Sequence, residues 1–201
     1  MTKERIVETA LDLFSQRGYD GTSVRDIARA VGIRESSLYN HFPSKQAIFD
    51  AIVDVCLQQA EAYFRGNTLP FDLGDDTSLY QGVGLEELQE MIERTFRYFF
   101  DDPWNARFRR LLLISQYAEP RCRDIYRRLY RDKCVQVQAY IFSTLMDAGE
   151  LRREDPEIVA AEFHGPLFML IHTCESFREA QPFIRDHVEQ FRKNYGERGT
   201  R

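Results

Sequence analysis

Apolar residues recur at intervals of three and four along almost the whole chain, and no segment alternates apolar and polar residues between hairpin turns. The N-terminal stripe shows the pattern, because Ile6, Val7, Ala10, Leu11 and Phe14 fall on one side of a helix. A chain patterned in this way has no half-buried strands from which to build a sheet. The sequence therefore predicts an all-α protein of nine helices.

Glycine, proline and capping residues divide this pattern into helices. Gly18 supplies a left-handed end for the first helix, and Ser44 caps the fourth. The later predicted helices are 85–102, 104–117, 120–148, 156 to about 177, and a last one that begins at Pro182. Gly149 ends the third of these and Gly196 ends the last. Asp155 caps the helix that begins at Pro156.

The stretch 66–84, GNTLPFDLGDDTSLYQGVG, breaks the helical pattern and is rich in Gly, Asp and Pro. Such a composition is typical of a loop between domains. We therefore predict a small N-terminal domain over residues 1–60 and a larger helical domain over residues 61–201.

The charge of the chain limits how it could bind nucleic acid. A net charge of −5 argues against a protein that coats nucleic acid without selectivity. Residues 1–49 hold seven Lys/Arg and six Asp/Glu, whereas residues 50–201 hold twenty and twenty-six. Cations that contact phosphate must therefore be few and well placed.

Two features indicate the compartment and the redox state. No run approaches the roughly 18 apolar residues of a membrane span, and the N-terminal MTKER lacks an apolar signal core. We expect a cytoplasmic protein with no membrane contact. The four cysteines are scattered, with no C-x-x-C pair and no zinc-ligand spacing: Cys56, Cys122, Cys134 and Cys174. We therefore expect reduced thiols, no metal and no cofactor. A thiol redox sensor is the alternative.

Residues 22–45, TSVRDIARAVGIRESSLYNHFPSK, have the features of a helix-turn-helix. Ile27, Val31, Ile33 and Leu38 form its buried seam, Ala28 is small where the helices cross, and Gly32 takes the positive φ of the turn. The segment from Arg34 to His41 is then the recognition helix that enters the major groove of DNA.

This segment and the preceding ALDLFSQRGYDGTSV resemble the N-terminal signature of the TetR family. The resemblance is strong over residues 1 to about 60, and beyond that only the helix count and the long last helices fit. It implies a homodimer paired through helices 156–177 and 182–195, and a small-molecule effector bound in the C-terminal domain. A two-fold pair reads two half-sites about 34–36 Å apart, so the operator is expected to be palindromic.

The resemblance also implies individual roles in the N-terminal domain. Arg25 on the preceding helix is expected to be a DNA-backbone contact or a solvated side chain. The implied phosphate contacts are Thr22, Tyr39, His41 and Lys45, and the residues implied to face base edges are Arg34, Glu35, Ser36, Ser37 and Asn40.

Structural alternatives exist for several of these residues. Tyr39 and Phe42 are aromatic residues at a helix end, where such rings usually complete a core. Phe42 fits this packing role best, while the Tyr39 ring is able to pack with its hydroxyl on the DNA backbone. His41 has the alternative of capping the recognition helix.

The C-terminal domain mixes aromatic residues with a few polar groups, a composition able to line an effector cavity. Aromatic stripes at helical spacing also form plain core, and this alternative stays open. A metal site is a weaker alternative, since His172 and Glu175 are the only close ligand pair. The candidate pocket residues are Phe99, Trp104, Tyr117, Tyr140, His164, Phe168 and His172.

The sequence thus predicts a homodimeric, ligand-responsive transcriptional repressor that binds double-stranded operator DNA. An enzyme is disfavoured because the sequence has no G-x-S-x-G, P-loop or H-E-x-x-H motif. A helical adaptor without DNA binding is the other alternative. Arg34, Asn40 and Lys45 argue against it, because an adaptor has no need of side chains suited to a DNA groove.

Overall fold

The computed structural model describes residues 3–67, 69 and 84–197, and these residues form an all-α fold. Within them the β-pairing is one isolated bridge between Leu151 and Gly196. The helices are α1 (Lys3–Arg17), α2 (Val24–Val31), α3 (Glu35–Tyr39), α4 (Lys45–Gly66), α5 (Leu88–Asp101), α6 (Pro103–Ser115), α7 (Pro120–Arg127), a π-helical segment (Arg128–Asp132), α8 (Lys133–Asp147), α9 (Pro156–Thr173) and α10 (Phe177–Tyr195).

The predicted fold class is confirmed. Because α7, the π-helical segment and α8 follow one another without a break, the described residues form nine continuous helical rods. The predicted loop over residues 66–84 lies mostly outside the described residues. No helix in the described part of the chain has both the length and the apolar character needed to cross a membrane.

Most helix ends were predicted from local signals. Gly18 and Gly149 both have φ of 76°, a left-handed conformation that favours glycine after a helix. The Ser44 hydroxyl accepts a hydrogen bond from the Ala47 amide at 3.1 Å. The Asp155 carboxylate accepts from the Glu157 amide at 2.9 Å, and Pro156 follows it in the first turn of α9.

The predicted boundary between the last two helices was wrong. α9 ends at Thr173, and α10 begins at Phe177 instead of at Pro182, which lies inside the helix. The reason is a better cap upstream: the Ser176 hydroxyl accepts from the Glu179 amide at 3.4 Å, and the Glu179 carboxylate accepts from the Glu175 amide at 2.9 Å.

The chain divides into two compact units, the first Met1–Glu61 with Pro103–Arg127 and the second Ala62–Asp102 with Arg128–Arg201. The sequence did not indicate that α6 and α7 pack with the N-terminal helices. The predicted functional division at residue 60 stays a prediction.

In the first unit, α1 packs against α2 and α6. The predicted apolar stripe of α1 is buried, and Ile27, Leu38 and Ile48 from the following helices are also fully buried. An ion pair between Asp12 of α1 and Arg107 of α6 joins these helices at the surface. The unit is therefore held together partly by contacts between α1 and residues that are distant from it in sequence.

In the second unit, α9 packs against α8 and the π-helical segment, and α10 packs against α5 and α9. Its centre is aromatic, because the ring centroids of Phe142, Phe163 and Phe191 lie 4.7–5.3 Å apart. Such close edge-to-face and stacked rings stabilise a core beyond their buried area.

His164 of α9 is buried against the π-helical segment. Its Nε2 lies 2.9 Å from the Tyr130 carbonyl oxygen, and its Nδ1 lies 3.4 Å from Nε2 of Gln138. A carbonyl only accepts, so Nε2 carries the proton and Nδ1 accepts from the Gln138 amide. Burial lowers the pKa of His164 to about 4, so the ring is neutral at neutral pH.

This environment predicts that the protein loses stability as the pH falls. The unfolded imidazole binds a proton below about pH 6.5 while the native one stays neutral to about pH 4, so the free energy of unfolding falls across this window, by up to roughly 3 kcal/mol. His164→Gln keeps a donor for Tyr130 but has no titration. Urea unfolding from pH 7 to pH 4 should therefore show a smaller loss for this variant.

His172→Gln, at an exposed position of the same helix, serves as the matched control and should retain the wild-type slope. Equal slopes for wild type and His164→Gln would contradict this account of His164.

Candidate nucleic-acid interface

α2 begins at a capping box. The Ser23 hydroxyl accepts from the Asp26 amide at 3.1 Å, and the Asp26 carboxylate accepts from the Ser23 amide at 3.0 Å. The Ser23 hydroxyl also donates to the Asp26 carboxylate, and this hydrogen bond, followed by that from the Ser23 amide, lowers the pKa of Asp26. The start of the helix-turn-helix is thus fixed by two residues three positions apart.

The turn after α2 has the predicted conformation. Gly32 has φ of 80°, and the Ile33 amide donates to the Ala28 carbonyl at 2.9 Å. A positive φ is costly for residues with a Cβ, so glycine suits this position. Ala28, Val31 and Leu38 are buried between the helices as predicted, and Ile33 is half-buried.

α3 spans five residues and is shorter than the predicted recognition helix. Arg34 precedes it with an extended backbone, and the chain turns after Tyr39, where the His41 and Phe42 amides both donate to the Leu38 carbonyl at 2.9 and 3.0 Å. Because the Leu38 side chain points into the core, the other side chains of α3 are left near the surface.

The predicted base-reading residues lie together on this surface. Arg34, Glu35, Ser36 and Asn40 are exposed, and Ser37 is half-buried. Arg25 of α2 is exposed as well. The arrangement offers two guanidinium donors, a carboxylate acceptor and an amide, which are the groups that pair with base edges and phosphates.

The aromatic residues at the end of α3 have different environments. Phe42 is buried, which confirms its packing role. The Tyr39 side chain is 47% exposed, so its ring is only partly packed. His41 is half-buried.

Thr22 was predicted to contact phosphate, but its side chain lies in the interior. Its exposure is 0%, and its hydroxyl donates to the Gly18 carbonyl at 3.1 Å. The single hydroxyl proton is therefore already used within the protein and is not available to a phosphate oxygen.

Lys45 begins α4 as predicted, but its amine is held within the first unit. Nζ donates to the carbonyls of Tyr19 at 2.9 Å and Thr22 at 3.2 Å, and it lies 4.1 Å from the centroid of the Tyr19 ring. An ammonium group has three donors, so one remains for an outside acceptor. Lys45 thus fastens the α1–α2 loop to α4.

Tyr19 connects this loop to α6, a contact that the sequence did not predict. Its amide donates to the Ser115 hydroxyl at 2.9 Å, and its ring packs 5.3 Å from Phe14 and 5.4 Å from Phe49. Burial raises the pKa of Tyr19, with a further contribution from the Glu119 carboxylate. No local signal indicates the Tyr19–Ser115 pair, because 96 positions separate the two residues.

The candidate pocket residues do not all lie together. Tyr117 is 94% exposed, so it lines no cavity in the described structure. Trp104 belongs to α6 in the first unit, where it lies beside the Arg107 guanidinium. Phe99 is buried with its ring 5.1 Å from Tyr130.

His164 and Phe168 line a cavity of about 450 Å³ in the second unit. Tyr140 is half-buried, and His172 is exposed with its Nδ1 3.0 Å from the Phe168 carbonyl oxygen. Among the described residues, no three His, Cys, Asp or Glu side chains are placed to hold a metal ion.

The thiols of Cys122 and Cys134 have little tendency to ionise. Burial raises the pKa of Cys122 to about 11 and that of Cys134 to about 12. Both are therefore protonated at neutral pH, and thiolate is the reactive form. These two cysteines give no support to the redox-sensor alternative.

The N-terminal segment is similar to known regulators. A family model for bacterial regulatory proteins of the tetR family matches residues 6–52. The biofilm operon icaADBC HTH-type negative transcriptional regulator IcaR of Staphylococcus aureus (strain Newman) is 48% identical over 97 residues. The match covers 48% of this chain and 51% of IcaR, so the chain spans about half the length of that relative.

Two solved structures share the fold over almost the entire chain. The TetR family transcriptional regulator PfmR from Thermus thermophilus is 25% identical, with 99% of each chain covered and a TM-score of 0.67. The flavonoid-responsive regulator FrrA is 23% identical, with 98% of each chain covered and a TM-score of 0.63.

The Lys45 contacts predict a loss of stability when the amine is removed. Lys45→Met keeps the apolar stem but leaves two carbonyls without their charged donor, so the free energy of unfolding should fall by about 1–3 kcal/mol. Urea unfolding measures this change.

Lys193→Met is the matched control, because the Lys193 amine pairs with Glu189 on the exposed face of α10, and its loss should change the free energy of unfolding much less than the loss of the Lys45 amine. Equal effects of the two substitutions would mean that the fold does not depend on the Lys45 amine.

Proposed function

We propose that this chain is a member of the TetR family of bacterial regulatory proteins and a transcriptional repressor whose binding to operator DNA is controlled by a small molecule. The observation that carries the proposal is the geometry of the α2–α3 segment. The Leu38 side chain of α3 is buried in the core. The polar residues that remain exposed around it are Arg34, Glu35, Ser36 and Asn40. A short helix presented in this way suits the major groove.

We assign base reading to the residues around the start of α3. The Arg34 guanidinium is suited to the O6 and N7 acceptors of guanine, the Glu35 carboxylate to the cytosine amino group, and the Asn40 amide to adenine. Ser36 and Ser37 have hydroxyls that pair with any base edge. Sequence selectivity then rests on few side chains.

We assign phosphate binding to the residues beside this surface. Arg25 is exposed, and Tyr39 and His41 lie at the end of α3. Lys45 has one donor left after its two internal hydrogen bonds, and the free amides at the start of α4 add to it. Thr22 is not included, because its hydroxyl is buried and already bonded.

A homodimer follows from the size of one recognition helix and from an exposed apolar surface. One short helix contacts too few base pairs for selectivity, whereas a two-fold pair reads a palindrome. Of the six exposed large apolar side chains among the described residues, Ile158 (58%), Met169 (49%) and Phe183 (41%) lie on α9 and α10. We place the dimer contact on these helices.

The repressor and effector parts of the proposal draw on the relatives. IcaR is a negative transcriptional regulator, and FrrA is flavonoid-responsive. For this chain we place the effector in the cavity beside His164 and Phe168. An effector that favours the conformation unable to bind DNA by a few kcal/mol is enough to release the operator. A repressor of this kind works in the cytoplasm, where its operator lies.

Arg34→Ala tests the proposed reading surface. An operator is first selected from random DNA with the wild-type protein, and affinities are measured by fluorescence anisotropy between 50 and 200 mM KCl. Loss of a bidentate guanine contact costs about 1–3 kcal/mol, so the variant should bind roughly 5–150 times more weakly and accept other bases at one position of each half-site. Arg25→Ala should instead weaken binding to all sequences about equally.

The control is Arg153→Ala, which removes an exposed cation that pairs with Asp147 in the second unit and should bind like wild type. Palindromic DNA should also bind more tightly than an isolated half-site. If the wild-type protein showed no salt-dependent affinity for any DNA, the repressor proposal would fail in favour of a helical adaptor.

A further inference from the structure

The first turn of α1 is attached to the chain on both sides of α3. The Arg5 guanidinium donates to the Val31 carbonyl at 3.3 Å, just before the turn that leads into α3. The Lys3 ammonium lies 5.7 Å from the centroid of the Phe42 ring, and Phe42 comes shortly after α3. These two contacts place the start of α1 beside the segment assigned to DNA binding.

Lys3 has donors that the protein itself does not use. Its side chain is exposed, and within the described part of the chain its ammonium has no acidic partner and no hydrogen-bond acceptor. An ammonium group has three donors. The Phe42 ring attracts the charge without accepting a hydrogen bond at this distance. The Lys3 ammonium is therefore free to bind an anion.

The neighbouring acids Glu4 and Glu8 lie on other sides of α1. At about 3.6 residues per turn, Glu4 is about 100° and Glu8 about 140° around the helix from Lys3. Lys3 instead continues the buried stripe of α1, which faces the other helices of the first unit. Neither carboxylate therefore lies on the side of Lys3 that faces the end of α3.

The segment of α3 has no cation of its own. Residues 35–42, ESSLYNHF, contain no Lys or Arg, and the proposed phosphate contacts at this end are Tyr39 and His41. Lys3 brings an ammonium group to the same place from a different helix. This matters for affinity, because most of the binding energy of DNA-binding proteins that does not depend on sequence comes from cations on phosphates.

Lys3 and Lys45 lie near opposite ends of α1. Lys3 begins this 15-residue helix, and the Lys45 ammonium is bound to the Tyr19 carbonyl just after the helix ends. At about 1.5 Å per residue, α1 is roughly 20 Å long. The major groove of B-DNA is about 12 Å wide, with a phosphate backbone along each edge. Two flexible lysines at this separation suit the two backbones that border one groove.

We propose that Lys3 is a further DNA-binding residue, whose ammonium binds an operator phosphate beside the end of α3 and across the major groove from the phosphate bound by Lys45. This role rests on the proposed function, because it concerns the same DNA. It adds no base selectivity, since phosphates carry no sequence information. Lys3 instead fixes the position of α3 in the groove and strengthens binding to every sequence.

Lys3→Met tests this contact, because methionine keeps an apolar side chain over Phe42 and removes the ammonium. Affinity for the operator selected with wild type is measured by fluorescence anisotropy at several KCl concentrations. Each lost phosphate contact lowers the slope of log affinity against log salt by about 0.9, so a dimer with two copies of Lys3 should lose about 1.8. At about 100 mM KCl the variant should bind at least about tenfold more weakly, with unchanged base preference.

Two variants serve as controls. Lys3→Arg keeps the positive charge and should keep the wild-type salt slope. Lys193→Met removes the same charge from the exposed face of α10 and should bind DNA like wild type. Urea unfolding of Lys3→Met should match that of wild type, because the Lys3 side chain is exposed.

A second measurement leaves the protein unchanged and alters the DNA. Single operator phosphates are replaced by neutral methylphosphonates. At one position in each half-site the replacement should weaken wild-type binding about tenfold and should change the affinity of Lys3→Met by less than about twofold, because that contact is already absent.

A wild-type salt slope in Lys3→Met, or an equal loss of slope in Lys193→Met, would overturn the role of Lys3 and leave the repressor proposal intact. The same holds if no methylphosphonate position distinguishes Lys3→Met from wild type. Altered base preference with an unchanged slope would show that Lys3 acts only through the packing of Phe42, and would also overturn the role. If the wild-type protein bound no DNA, the repressor proposal would fail together with it.

Discussion

The contact between Lys45 and Tyr19 sets the geometry on which the candidate interface depends. The Lys45 amine lies on the Tyr19 and Thr22 carbonyls and over the Tyr19 ring, while Ser115 of α6 accepts from the Tyr19 amide. These groups hold the α1–α2 loop from both sides. Because α2 starts directly after this loop, the position of Tyr19 sets the direction of α2. The orientation of α3 follows from that direction. A partly buried cation shared by two carbonyls is worth more than an exposed ion pair.

Features determined by neighbouring residues were predictable from the sequence. The Gly32 turn, the Ser44 cap and the Asp155–Pro156 start each depend on residues a few positions apart, and each was found where expected. The seam of the helix-turn-helix is also buried as predicted, except that Ile33 is half-buried. The error at Pro182 arose from two competing local signals. Proline is tolerated at a helix start, but Ser176 offered a side-chain cap six positions earlier.

Features determined by distant contacts were not predictable. Aromatic residues at helical spacing do not reveal whether a ring faces a core, a cavity or solvent, and so Tyr117 and Trp104 were grouped with His164 and Phe168. The contact of His164 with the Tyr130 carbonyl in the π-helical segment is of the same kind, because 34 positions separate the two residues. The packing of α6 and α7 with the N-terminal helices, and the internal use of the Thr22 hydroxyl and the Lys45 amine, belong to this class as well.

Amide hydrogen exchange of the Ser115→Ala variant tests most directly whether α2 depends on the α1–α2 loop being held by Tyr19. If the Ser115 hydroxyl fixes Tyr19, the Tyr19 amide and the amides of α2 should exchange at least about tenfold faster than in wild type, while those of α9 and α10 stay within about twofold. If the Tyr19 amide exchanged faster while exchange in α2 was unchanged, the loop and α2 would be held independently. That result would contradict the account.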